Sequence, residues 1–241
     1  FPRRSGIRAP ETREWILGAL YLPVFLFFLN FAILAYFPAL GFPLTEPRNY
    51  FFANLLYMTV NFAVMLLIFR RTLWQSLREF EGKMLLSVLI GFGMCYGANL
   101  VLTTAYTVLD IMPENYNQEA VNSLLGGYPL AMTLCTVVLA PLAEECLFRG
   151  VLFAPLARRC LPAAYALSMF LFAGMHVFQF LGSMTAANTI LCLSLYLPAS
   201  FSLCWVYQKT GNIWACIFLH MFINFQSVLA SLLRSLMQAF L

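Results

Sequence analysis

Seven apolar runs, each long enough to cross a bilayer as a helix of about 20 residues, occupy most of this chain, at roughly 15–37, 50–69, 84–109, 128–157, 161–181, 185–207 and 212–233. Inside lipid a backbone must satisfy its own polar groups, so runs of this length fold as helices. The fold class that follows is all-α, a polytopic membrane helical bundle of about seven (six to eight) transmembrane helices. Composition agrees, since 62% hydrophobic and 10% charged residues leave too little polar surface to clothe a soluble globule of 241 residues. The connectors at 38–49, 70–83 and 110–127 are too short for a separate soluble domain. Residues 1–241 therefore read as a single integral membrane domain.

The net charge of +4 does not point to nucleic acid, because the basic residues form neither a face nor a run. They mark every second loop instead. Arg3, Arg4, Arg8 and Arg13 precede the first run, and Arg70, Arg71, Arg78 and Lys83, then Arg158 and Arg159, then Lys209 follow in alternate connectors. Asp110, Glu114 and Glu119 share a connector that carries no basic residue. By the positive-inside rule the amino terminus is cytoplasmic. The first run exceeds the 7–15 residues of a signal-peptide core and is read as a retained span. The segment 70–83 spaces Trp74, Leu77 and Phe80 at near-helical intervals, as either an interfacial helix or a solvated loop would.

Seven cysteines lie mostly inside apolar runs and form no C-x-x-C pair, which is the pattern of small packed hydrophobes. Pro23, Pro129, Pro141, Pro155 and Pro198 fall within spans, where neighbours are expected to satisfy the carbonyls they free. Asn54, Asn61, Asn99 and Asn188 are expected to hydrogen-bond between helices.

Against this background both histidines of the chain sit in apolar runs, as Phe172-x-x-x-His176 and His220-x-x-x-Asn224, downstream of Glu144-Glu145-x-x-x-Arg149. A charge at mid-membrane costs about 2.5–3.5 kcal/mol, so such residues are functional candidates by default. If the fourth span runs on to Arg158-Arg159, a rise of about 1.5 Å per residue brings the three motifs to a common depth. Glu145 and Arg149 at i,i+4 share a face and can be buried as an ion pair. Glu144, a quarter-turn away, is left to act on a ligand as a general base. Phe172 walls the His176 imidazole. His220 and Asn224 set two donors on one face, which is what a developing oxyanion needs. Together these are the parts for attack of water on a carbonyl. A zinc site of Glu144, His176 and His220 is the rival, although the H-E-x-x-H spacing is absent. Cys146 as nucleophile is a weaker one, because it points to another face and nothing nearby lowers its pKa.

These three motifs, with Gly150 after the arginine, resemble those of the CPBP family of intramembrane proteases, which includes the type II CAAX prenyl endopeptidases and proteins linked to bacteriocin processing and immunity. The resemblance covers roughly 128–228, the expected catalytic helical core. It implies an intramembrane endopeptidase, working either by glutamate-activated water without a cofactor or with a zinc ion, on a membrane-anchored peptide or protein, a prenylated carboxyl-terminal peptide being one such substrate. It implies that Glu144 activates water with His176, that His220 and Asn224 stabilise the oxyanion, and that Glu145 and Arg149 hold the geometry. The short loops suit a compact prokaryotic plasma-membrane member. The alternative is a non-hydrolytic protein (immunity factor, scaffold or transporter) that keeps the polar cluster for binding. No inverted repeat of the kind found in transporters is visible.

Overall fold

Each apolar run winds into one long helix, and two short helices lie between them. The computed structural model describes residues 7–239, so Arg3 and Arg4 lie outside the described residues. The seven spanning helices are α1 (Thr12–Ala39), α2 (Pro47–Ile68), α4 (Met84–Val108), α6 (Pro129–Ala157), α7 (Leu161–Ser183), α8 (Ala186–Thr210) and α9 (Ile213–Ala239). The connectors expected at 70–83 and 110–127 contain α3 (Arg70–Arg78) and α5 (Tyr116–Gly127). In α5 the start is set by Asn115, whose Oδ1 accepts from the Gln118 backbone N–H at 3.1 Å. The outer surface is apolar, with Val108, Leu130 and Phe31 among many large exposed side chains, as a lipid-facing bundle requires.

The helices meet at two ends of different character. At one end Arg158 donates to the Ile7 carbonyl, Tyr207 to the Arg8 carbonyl, and Asn212 Nδ2 to the Ser76 carbonyl. The α8–α9 turn there closes on Gly211 at φ 62°, a left-handed cap that glycine adopts without strain. Asn212 Oδ1 then accepts from the Trp214 and Ala215 backbone N–H groups and starts α9. At the opposite end Glu114 and Asn188 exchange hydrogen bonds, Gln118 meets Ser227, and Tyr128 stacks on Phe51 with ring centroids 3.8 Å apart.

The densest packing lies toward the first of these ends. Phe69, Leu73, Phe148, Phe153, Leu203 and Ile217 form one buried core there. Helices α1 and α6 approach closely at Gly18, where an added Cβ would stand 2.6 Å from Val151 Cγ2 and 2.9 Å from the Phe69 ring. Glu14 is buried beside them and accepts from the backbone N–H groups of Arg71 and Thr72 and from the Thr72 hydroxyl, neutralising the start of α3. Sequence reading did not single out Glu14, because its partners lie about 57 positions away. Within α3, Leu73 is buried while Trp74 and Leu77 face outward. The segment is a helix rather than a solvated loop.

Two of the span prolines are served from neighbouring helices as expected. Pro155 brings no N–H to the turn before it, and the Trp15 indole N–H donates to the Val151 carbonyl in that turn at 3.1 Å. Pro141 follows a π-helical segment, Cys135–Leu139, so the carbonyl it leaves unpaired is that of Thr136, to which Asn224 Nδ2 donates at 2.8 Å. Of the four asparagines, Asn61 accepts from Tyr21 of α1 and Asn188 binds Glu114, whereas Asn54 and Asn99 bond within their own helices. Six cysteines are buried and Cys160 is exposed in the α6–α7 connector.

Candidate active site

Glu144, Glu145 and Arg149 come from the middle of α6, Phe172 and His176 from α7, and His220 and Asn224 from α9. Helix α6 does run to Ala157, so the carboxylates lie at its mid-depth. The segment Ala140–Glu145 is α-helical but sits between two π-helical stretches, Cys135–Leu139 and Cys146–Phe153.

Behind the site, Arg149 and Glu145 are both fully buried, with Nε 3.1 Å from Glu145 Oε2. The guanidinium also donates from Nη2 to the Ser200 carbonyl at 3.2 Å and lies 5.1 Å over the Phe172 ring. Glu145, paired with the Arg149 guanidinium, accepts at Oε1 from His220 Nδ1–H at 2.8 Å. That fixes the imidazole. Its Nε2 then faces Glu144 Oε2 at 3.9 Å, ion-pair rather than hydrogen-bond distance. The chain Arg149, Glu145, His220, Glu144 thus ends on one carboxylate, and Glu144 Oε2 has no hydrogen-bond partner in the protein.

Glu144 borders a chamber of about 500 Å³, whose wall also includes His176, Asn224, Thr136, Tyr196 and Asn61. His176 Nδ1–H donates to the Phe172 carbonyl at 2.8 Å, which leaves Nε2 with a free lone pair. The Phe172 ring lies 4.9 Å from the His176 ring and 5.5 Å from that of His220, so it walls both imidazoles. Tyr196 stacks on the other face of His176 at 4.5 Å, and its hydroxyl donates to Asn115 Oδ1 at 3.0 Å. Sequence reading missed Tyr196, a single tyrosine in an apolar run with no spacing to mark it.

The expected pairing of His220 and Asn224 as donors aimed at one point is not what the structure holds. His220 is turned onto Glu145 and Glu144 and does not line the chamber, while Asn224 donates to the carbonyl that Pro141 frees. One amide hydrogen of Asn224 remains for the chamber. Glu144, His176 and His220 are likewise not gathered as metal ligands. Among the described residues no three His, Cys, Asp or Glu side chains form a group that could hold a metal ion. Cys146 is buried in the core, away from the chamber.

Comparison with known proteins bears on the segment that carries these motifs. Residues 126–226 match the family described as type II CAAX prenyl endopeptidase Rce1-like, which spans all three motifs. The chain is also 28% identical over 166 residues to the protein named "Putative membrane peptidase YdiL" of Bacillus subtilis. That alignment covers 67% of this chain and 64% of the relative, so the chain spans less than two thirds of the relative's length. No solved structure matches the chain. The resemblance read from the motifs is therefore matched over residues 126–226, the segment that carries them.

Proposed function

We propose, from the similarity of the motif-bearing segment 126–226 to type II CAAX prenyl endopeptidases, that this protein is an intramembrane endopeptidase in which Glu144 activates water. The observation that carries this is a buried carboxylate on a chamber wall, without a partner at Oε2 and backed by a histidine whose orientation an ion pair fixes. Such a group suits a general base.

In the reaction, Glu144 takes a proton from water while His176 Nε2, a lone-pair acceptor, holds the other hydrogen and aims the oxygen. The hydroxide oxygen bonds to the substrate carbonyl carbon, and the carbonyl oxygen gains the charge. Asn224 offers its second amide hydrogen to that oxyanion. His220 shares the proton held on Glu144, and delivery of that proton to the departing amide nitrogen lets the C–N bond break. Products are a carboxylic acid and an amine, and the acid's proton then passes to the amine to give carboxylate and ammonium. Glu145 and Arg149 are positioning residues, acting through His220. No cofactor takes part in these steps.

The test is cleavage of membrane-anchored peptides, followed by mass spectrometry, for the wild type and Glu144→Gln with and without a strong chelator. Loss of cleavage in Glu144→Gln, with the wild type indifferent to the chelator, is expected. Wild-type activity abolished by the chelator, or full activity in Glu144→Gln, overturns the glutamate-activated mechanism.

A further inference from the structure

The bundle is solid toward one end and hollow toward the other, and its charges are divided between the same two ends. The chamber's lining runs from mid-depth toward one end of the bundle. Asn30 and Leu34 of α1, Asn54 of α2, Gln118 of α5, Gln179 of α7 and Ser227 of α9 all lie toward the end where Gln118 meets Ser227. Among the described residues that end carries Glu46, Asp110, Glu114 and Glu119, with Arg48 and Arg234 as its cations. The opposite end, where Arg158 reaches Ile7 and Arg8 pairs with Glu79, gathers Arg13, Arg70, Arg71, Arg78, Lys83, Arg159 and Lys209, with Glu11, Glu14 and Glu81 among them, so the two ends differ in lysine and arginine and not in carboxylates. An asymmetry of this size orients a polytopic protein with its basic end in the cytoplasm. The core beneath Glu144 closes the way from that side.

We infer that the chamber is reached from the extracytoplasmic face and outer leaflet, and that its substrate is an internal, uncharged segment of an exported or membrane-spanning polypeptide. Phe27, Phe31 and Leu34 both line the chamber and stand exposed on the bundle surface, so it opens sideways into the lipid as well as outward at the exposed Gln179. Among the described residues its wall has no lysine or arginine, and Arg149 is fully buried behind Glu145. A free carboxyl terminus would find no counter-ion there. What the wall does offer is amide and hydroxyl chemistry for a peptide backbone. Asn61 Nδ2 and Thr136 Oγ1 are buried, border the chamber and have no partner in the chain.

The side of access is independent of the chemistry, whereas the substrate class rests on the endopeptidase reading. Two measurements keep them apart. The first is labelling of intact cells with a membrane-impermeant maleimide. Cys160, the one exposed cysteine among the described residues, lies at the basic end and serves as the inner reporter, and Gln179→Cys in a Cys160→Ser background serves as the outer one. Labelling of Gln179→Cys on intact cells, with Cys160 reactive only after lysis, is expected. Protection of Gln179→Cys in intact cells, whether or not lysis exposes it, overturns the proposal. The second uses one reporter peptide anchored in the outer or the inner leaflet of oriented vesicles, with a free or an extended carboxyl terminus. Cleavage of the outer, extended reporter that Glu144→Gln loses is expected. Cleavage confined to the inner reporter, or to the free terminus, overturns the substrate assignment. Expected labelling with no reporter cut removes the endopeptidase reading and leaves the side of access standing.

Discussion

Replacing Arg149 with methionine tests the buried relay most directly. The guanidinium is fully buried, 3.1 Å from an equally buried carboxylate. At an effective dielectric of about 20, unit charges at that separation interact by about 5 kcal/mol. Removing one partner of a buried pair costs about 3–5 kcal/mol, because the other charge is stranded. Arg149→Met keeps most of the side-chain volume but leaves Glu145 with His220 as its one polar partner. A loss of about 3–5 kcal/mol is expected, a fall of roughly two to three and a half powers of ten in the folded-to-unfolded ratio. Glu145→Leu strands the guanidinium and is expected to lose a similar amount. The double variant strands neither charge, so its loss falls well below the sum of the two. Equilibrium unfolding in mixed micelles, read through the four tryptophans, gives all three values. A loss under about 1 kcal/mol for Arg149→Met, or strict additivity in the double variant, refutes the description of these residues as one coupled unit.

Gly18→Ala forces a methyl group against Val151 and Phe69 and is expected to destabilise by about 1–3 kcal/mol, whereas Gly97→Ala, with nothing within 4 Å of its added Cβ, is expected to stabilise α4 by about 0.5–1 kcal/mol. Thermal unfolding in detergent should move the two midpoints in opposite directions, and a drop for both contradicts the packing described. Asn224→Ala leaves the Thr136 carbonyl unpaired and should lose about 1–3 kcal/mol of stability together with peptide cleavage. Adding Pro141→Ala restores a backbone N–H to that carbonyl and should return stability but not cleavage. Recovery of both would make Asn224 purely structural.

Much of the architecture was legible because lipid is a demanding solvent. A run such as 84–109 admits one fold, and its helix, Met84–Val108, ends within a residue of the apolar boundary. The Glu145–Arg149 pair was legible for a similar reason, since i,i+4 spacing on a helix is a local fact. Helix α5 was passed over as a connector although the signal lay in Asn115-x-x-Gln118, because its polar sequence carries no strong apolar period. Tertiary partners were not legible at all. Glu14 finds Thr72, Tyr196 finds His176, and Asn224 turns to Thr136 and away from His220, each through contacts that no spacing encodes. The pairing of His220 with Asn224 failed because Pro141 created a nearer claim on the amide.

The winding of α6 has a consequence for how this site tolerates change. Wide π-helical turns on both sides of Ala140–Glu145 mean that each holds one residue more than an α-helix of the same length would need. The azimuth of Glu144 and Glu145 is therefore set by a local surplus of chain, and losing a single residue from either stretch would swing one carboxylate-bearing end of the helix by about 100° relative to the other. Length in this segment behaves as a rotational adjustment, and the chemistry depends as much on how many residues separate Thr136 from Arg149 as on which residues they are.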